Sequence, residues 1–271
     1  MFSPYYKSSG RGDPIDHAAL NVALYGPKAR WAMTERPRDN VGREQHELEI
    51  GTSSVRWTGD CLEIDIVEND KRLFNPWRRP VRGTVRVYPE SLNPVSFGLD
   101  EGSQHVWHCL APRAHIDVQM DEPGVSWSGS GYLDHNRGSE SLEDGFNVWH
   151  WSRAHLKEGA VVCYEGERSD GSNFASAIRF DRMGMPEQVE LPPVAKLPRS
   201  NWQVSRMARA DEGVAQVVNT WEDTPFYARS ALSSKLLGER VQAVQESLDM
   251  KRFNSPLVQF MLPYRMPRQA V

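Results

Sequence analysis

The chain has 271 residues, of which 39% are hydrophobic, 10% aromatic and 25% charged, a globular composition with room for one large all-β domain or two smaller ones. A formal net charge of -4 and a pI near 6.1 leave no electrostatic footprint for nucleic acid. No apolar run has bilayer length and the opening MFSPYYKSSGRGDP lacks the order of a secretion signal, so a soluble, cytoplasmic protein is expected; Cys61, Cys109 and Cys163 are far apart without a CxxC, which argues against a disulfide framework or a thiolate metal site.

The first apolar run, AALNVALYG, reads as a strand closed by Gly26 and Pro27. Period-two alternation puts His17, Ala19, Asn21, Ala23 and Tyr25 on one of its faces, where small side chains leave room for a ligand or for a neighbour's backbone. ARWAMTER, HELEIGTSSVRWTG, CLEIDIVEN and VRGTVRVYPE follow between turn residues. Leu62, Ile64 and Ile66 alternate with Glu63 and Asp65, and the phase slips at Glu68. These are half-buried antiparallel strands. In SQHVWHCLAPRAHIDVQM, His105 and His108 fall on opposite strand faces, and His108 could meet His115 only across a hairpin. No spacing gathers three ligands around a metal ion.

The stretch from Gly124 to Arg153, GVSWSGSGYLDHNRGSESLEDGFNVWHWSR, is the candidate site. Alternation sends Tyr132 and Asp134 to one face, with a loop expected to hold Asp134, His135 and Asn136 together. Trp149 and Trp151 share a face in the next run, opposite Phe146, Val148 and His150. A carboxyl beside Tyr and Trp suggests an acid held among aromatic rings, and a polar Asx turn between strands is the equally weighted reading.

AVVCYEGERSDGSNFASAIRF gives two strands around a Ser-Asp-Gly turn. Proline-rich MGMPEQVELPPVAKLPRS reads as an extended crossing or a boundary, dividing the chain into a β unit over 1–187 and a second over 188–271 that completes the cavity, unless the two are continuous. NWQVSRMARA, GVAQVVNTWED, PFYARSALSSKLLG and ERVQAVQESLDM read as strands, and FNSPLVQFML as one short helical turn. Glu246 falls between Val244 and Leu248, where a buried carboxylate needs a partner such as Arg206, Arg229 or Arg252. Many short strands with little helix mean an antiparallel sandwich or barrel.

Gly129, Gly131 and Gly138 precede no helix, so no dinucleotide fingerprint is formed, and there is no GxSxG elbow. Paired carboxylates for glycoside hydrolysis would have to come from Asp134 with Glu140, Glu143, Asp144 or Glu246. Nine tryptophans favour a large apolar ligand, although core packing could absorb most of them.

The segments SGRGDPIDHAALNVALYG, SSVRWTGDCLEI, GSGYLDHNRGSESL, VWHWSR, DTPFYARS and ESLDMKRFNSPL resemble, nearly end to end, the carotenoid 1,2-hydratases, also called hydroxyneurosporene synthases. Gly131-Tyr132-x-Asp134-x-Asn136-x-Gly138 is the most specific match. The resemblance implies a lipocalin-like β fold and addition of water across the terminal double bond of acyclic carotenoids such as neurosporene and lycopene, without a cofactor or metal. It carries the catalytic acid onto Asp134, assisted by Tyr132. Trp107, Trp149 and Trp151 would stabilise a cation, and His135, Asn136 or His17 would position water. A non-catalytic carotenoid carrier and a terpenoid cyclisation catalyst are the alternatives on such a fold. An insoluble polyene further implies peripheral contact with membrane lipid, for which Phe2, Tyr5, Tyr6, Phe74 and Trp77, the last two within the arginine-bearing FNPWRRP, are the expected residues.

Overall fold

In a computed structural model, described over residues 3–72 and 75–269, the chain is built almost wholly of antiparallel strands. A short helix α1 (Pro4–Ser8) leads into β1 (Ala18–Leu24), β2 (Arg30–Arg36), β3 (Val41–Arg43), β4 (Glu47–Ile50), β5 (Ser53–Trp57), β6 (Leu62–Arg72) and β7 (Asn75–Pro89). Next come β8 (Phe97–Gly98), β9 (His105–Glu122), β10 (Val125–Gly138), the one-turn helix α2 (Leu142–Gly145), β11 (Phe146–Leu156), β12 (Gly159–Arg168) and β13 (Asn173–Phe180). The chain then forms β14 (Pro186–Gln188), β15 (Val194–Leu197), β16 (Arg206–Arg209), β17 (Ala215–Asp223), β18 (Tyr227–Leu236), β19 (Glu239–Asp249), α3 (Met250–Phe253) and α4 (Pro256–Arg265). The terminal segment expected to make one helical turn thus makes a ten-residue helix that begins on a proline, whose fixed φ suits that position.

Two compact units result: Met1–Pro89 with Ala114–Gly131 and Gln259–Val271, and Glu90–Arg113 with Tyr132–Val258. This corrects the expected division at 187/188. Residues on both sides of the proline-rich segment belong to one seven-stranded sheet, ordered β14-β13-β12-β11-β19-β18-β17. Pro186 is accommodated because β14 lies at the sheet edge, where a missing N–H leaves no ladder bond unmade, and Pro192, Pro193 and Pro198 fall outside the strands.

In the first unit, β1 pairs β2, and a sheet runs from β3 through β4, β5, β6 and β7 to β9 and β10. Its core is Val22, Ala32, Ile66, Val81, Val118 and Met120, each contributing about 1.5–3 kcal/mol where a side chain of Val, Ile or Met size leaves water. Beyond Ile66 the buried face of β6 keeps its phase and changes chemistry. Glu68 and Asp70 are each 1% exposed, Glu68 lying 3.7 Å from Arg36 while Asp70 meets Arg79 and Arg265. Tyr5 and Tyr6 are half-buried in α1, with Tyr6 set edge-on to His17. Phe2 and Phe74 fall outside the described residues, as does the side chain of Trp77.

In the second unit one face of the seven-stranded sheet is apolar core: Ala154, Leu156, Val161, Cys163, Ala177, Leu232, Val241 and Ala243 pack with Leu197 of β15 and Ala208 of β16. On this face Arg209 grips Glu165 through two nitrogens and Arg206 donates to Ser230 and Thr220. The other face carries the site. Among the described residues no helix is long and apolar enough to cross a membrane.

Candidate active site

β10 continues through Gly138, so Asp134, His135 and Asn136 lie in a strand and not in a loop. Strand geometry separates them: Tyr132, Asp134 and Asn136 share one face, and His135 turns to the other. His135 and Asn136 are exposed, whereas Tyr132 and Asp134 are half-buried. Two glycines of the signature have steric reasons. A side chain at Gly131 would collide with Ile116, and one at Gly138 would come within 3.0 Å of the His105 ring. That ring is 3% exposed, bonded to Glu140 at 3.1 Å and packed on Phe146.

Asp134 Oδ2 accepts two bonds from neutral donors, the indole Nε1 of Trp107 at 3.0 Å and the phenol of Tyr132 at 3.1 Å. Burial pushes the Asp134 carboxyl above its ordinary range, against the pull of these two donors and of the charges on Arg153 and Arg229. The Tyr132 phenol is raised further, by burial and by the charge of Asp134. Cys109, within hydrogen-bonding reach of Tyr132, is pushed up to about 12 by burial and stays a thiol. Tyr132 and Asp134 keep some accessible surface although protein crowds them closely enough to penalise charge, whereas Cys109 is fully buried.

Aromatic rings surround these groups. Trp107 packs against Phe97, Tyr164 and Phe180 at centroid distances of 5.3, 5.8 and 6.3 Å, and the Tyr132 ring lies 5.4 Å from that of Trp151. Trp149 and Trp151 do share a face of β11, with Trp149 5.8 Å from Phe146 and 6.4 Å from Tyr164. Phe146 was expected opposite them. A register shift between Phe146 and Val148 brings it round to the tryptophan side.

Three further side chains complete the face. Arg153, two residues after Trp151, sets its guanidinium 4.9 Å over the Tyr132 ring. Glu246 lies directly across from Trp151, and Arg229 directly across from Glu246 with Nε 3.1 Å from Oε1. The same alternation that pairs Trp149 with Trp151 reaches Arg153 in VWHWSR; Arg229 is one of the three arginines the sequence offers to Glu246, and strand pairing selects it.

His17 belongs to the first unit. It closes a 3-10 turn over Pro14–His17 in the first unit, ahead of β1, because Pro14 starts the turn and Asp13 caps it. Its ring is 7% exposed, with Nδ1 2.9 Å from Glu35 and Nε2 3.2 Å from Ser9, and Arg268 beside it. His108 bonds the carbonyl of Asn93 and His115 bonds Asp117; both histidines lie on the single strand β9, so they do not meet across a hairpin. The carboxylates considered for glycoside hydrolysis have other partners, Glu140 at His105 and Asp144 at Ser141.

Antiparallel sheets with an acid set among aromatic rings define a lipocalin-like β protein organised around a withdrawn carboxyl. A crystal structure of a candidate AttH protein from Nitrosomonas europaea has the same fold, with TM-score 0.58, 14% identity, and coverage of 86% of this chain and 80% of that one. In sequence the carotenoid hydratase CrtC family matches residues 1–271. The acyclic carotenoid 1,2-hydratase of Thiocapsa roseopersicina is 44% identical over 99% of this chain and 67% of its own length. That of Cereibacter sphaeroides is 37% identical over 99% and 95%. The chain therefore belongs to the carotenoid hydratase CrtC family and is a hydro-lyase that acts on a carotenoid.

Proposed function

We propose that the enzyme adds water across the terminal 1,2 double bond of acyclic carotenoids such as neurosporene and lycopene, giving a tertiary alcohol, with Asp134 as the acid. The observation that carries this reading is a carboxyl withdrawn from water and held on one oxygen by neutral donors. An isolated alkene is a weak base, so its protonation needs an acid whose conjugate base is disfavoured in the site. With Trp107 and Tyr132 both on Oδ2, Oδ1 is the oxygen left to carry the proton. Its delivery to the CH carbon of the double bond leaves a tertiary cation on the dimethyl carbon.

Ring faces of Trp107 and Trp149 supply the cation–π stabilisation that such a charge requires. As the cation forms, Asp134 becomes a carboxylate, and the same two donors, together with the charge of Arg153, then favour it. Asn136, on the same strand face toward its exposed end, and His135 lie where water reaches the strand. A carrier on this fold has no use for an acid so placed. The polyene is insoluble, and the enzyme takes it up by transient contact with lipid at the cytoplasmic face of the membrane.

The test is incubation of purified protein with lycopene or neurosporene in liposomes made in heavy-oxygen water, without added cofactor. A labelled tertiary alcohol that is absent with Asp134→Asn supports the reading. Binding without product in the wild type contradicts it.

A further inference from the structure

Four strands of the second unit set one row of side chains shoulder to shoulder: Tyr164, Trp151, Glu246 and Arg229 are successive cross-strand partners on β12, β11, β19 and β18. Such neighbours have Cβ atoms about 5 Å apart. Two features of this row are not used in the protonation step. Trp151 is 8% exposed, yet its indole Nε1 is buried and, among the described residues, donates to no group. Buried donors in folded proteins nearly always have a partner, so this one marks a place where an acceptor binds. Beside it stands a carboxyl, Glu246, held by Arg229 at 3.1 Å and still 23% exposed.

We propose that Trp151 Nε1 and the Glu246 carboxylate hold the water that captures the cation, and that Glu246 is the base that takes the water's proton. The proposal rests on Asp134 as the acid and adds the second half of the reaction. Tyr132 joins the two halves, since its hydroxyl donates to Asp134 while its ring packs against that of Trp151. The water oxygen forms the new C–O bond to the dimethyl carbon, donating one lone pair. The resulting oxonium loses one proton to Glu246, which becomes a neutral acid as Asp134 is left a carboxylate. Return of that proton from Glu246 to Asp134 through solvent closes the cycle, and the sum is alkene plus water to alcohol.

Electrostatics favour this exchange of roles. Burial pushes the Glu246 carboxyl up and Arg229 pulls it down, while the charge of Asp134 pushes it up again. Two carboxyls that repel in this way disfavour double ionisation, so charge forming on Asp134 makes Glu246 readier to accept a proton.

The experiment follows two products in D₂O, the alcohol and deuterium at the alkene CH carbon of recovered carotenoid, which reports protonation followed by return to alkene. In Glu246→Gln the exchange-to-hydration ratio rises about 10-fold or more, because the cation still forms and is captured slowly. Trp151→Phe keeps a ring in the row and moves the ratio in the same direction. A wild-type ratio in Glu246→Gln, or loss of exchange and hydration together, overturns the proposal. Should Glu246→Gln not fold, an unchanged ratio in Trp151→Phe overturns it. Asp134→Asn separates the two readings: loss of both products supports the acid, whereas retention of both removes that acid whatever Glu246 does.

Discussion

Asp134 and Glu35 are both carboxyls drawn out of water, one in each unit, and their surroundings differ in kind. Glu35 is 2% exposed and meets Arg268, His17 and Ser3, while its backbone pairs with the segment at Pro267 and Gln269. Asp134 meets an indole N–H and a phenol, and the nearby guanidinium groups act on it only through space. A buried acid with a cation in contact is an ion pair, here one that ties the segment around Arg268 to β2. One held only by neutral donors keeps its neutral form competitive, and that is the form able to give a proton.

The largest break in this comparison is Asp134→Asn. Hydration falls about 10²- to 10⁴-fold or more, as expected when a general acid is removed. Stability moves the other way. The folded carboxyl is raised, so its ionisation erodes stability as pH climbs from the ordinary carboxylate range through the raised value. Asn carries no such cost, and thermal melting at pH 7 shows a higher Tm for the variant. Glu35→Gln gives the opposite pair of results: it strands Arg268, costs about 3 kcal/mol in denaturant unfolding, and leaves hydration per folded molecule near wild type.

A buried base sharpens the point. His150, on the core side of β11, bonds Ser247 at 2.7 Å, and burial pushes it down to about 4 from 6.5. The unfolded chain therefore binds the proton first, so stability is complete above pH 6.5 and is lost as pH falls toward 4, by on the order of 3 kcal/mol. Melting from pH 7 to 4 should show that loss in the wild type and much less of it in His150→Asn.

The smallest effects come from the neutral donors. Tyr132→Phe and Trp107→Phe each remove one bond to Oδ2 and each slow hydration about 10-fold, the worth of a hydrogen bond to a charged acceptor. Both donors pull the Asp134 value down, so their removal lets it rise. Activity requires the protonated acid and declines as pH rises through that value. The alkaline limb of the pH–rate profile accordingly shifts upward in both variants.

Much of this arrangement could be read locally, because alternation alone put Tyr132 with Asp134 and Trp149 with Trp151. What local pattern missed was set by pairing between distant segments. Trp151 meets Glu246 only because β11 pairs β19, and Glu246 takes Arg229 from the three candidate arginines because β18 is next in register. Arg206 is instead spent on Ser230 and Thr220, and Arg252 on Asp249 and the carbonyls of Trp202 and Pro225. Phe146 changed sides at a bulge, and His17 fell in a turn capped by Asp13 rather than on the strand face assigned to it. The proline-rich segment reads as a boundary because proline opposes sheet interiors; it instead adds the short edge strand β14 and then passes to β15, with Pro192, Pro193 and Pro198 outside the strands.

The measurement that bears most directly on the central claim is the protonation state of Asp134 itself, by infrared difference spectroscopy of wild type against Asp134→Asn between pH 4 and 8. The account predicts a protonated-carboxyl C=O band that persists above the ordinary aspartate range and is missing from the variant. A band that titrates away near pH 4, leaving Asp134 ionised where the enzyme works, would contradict it.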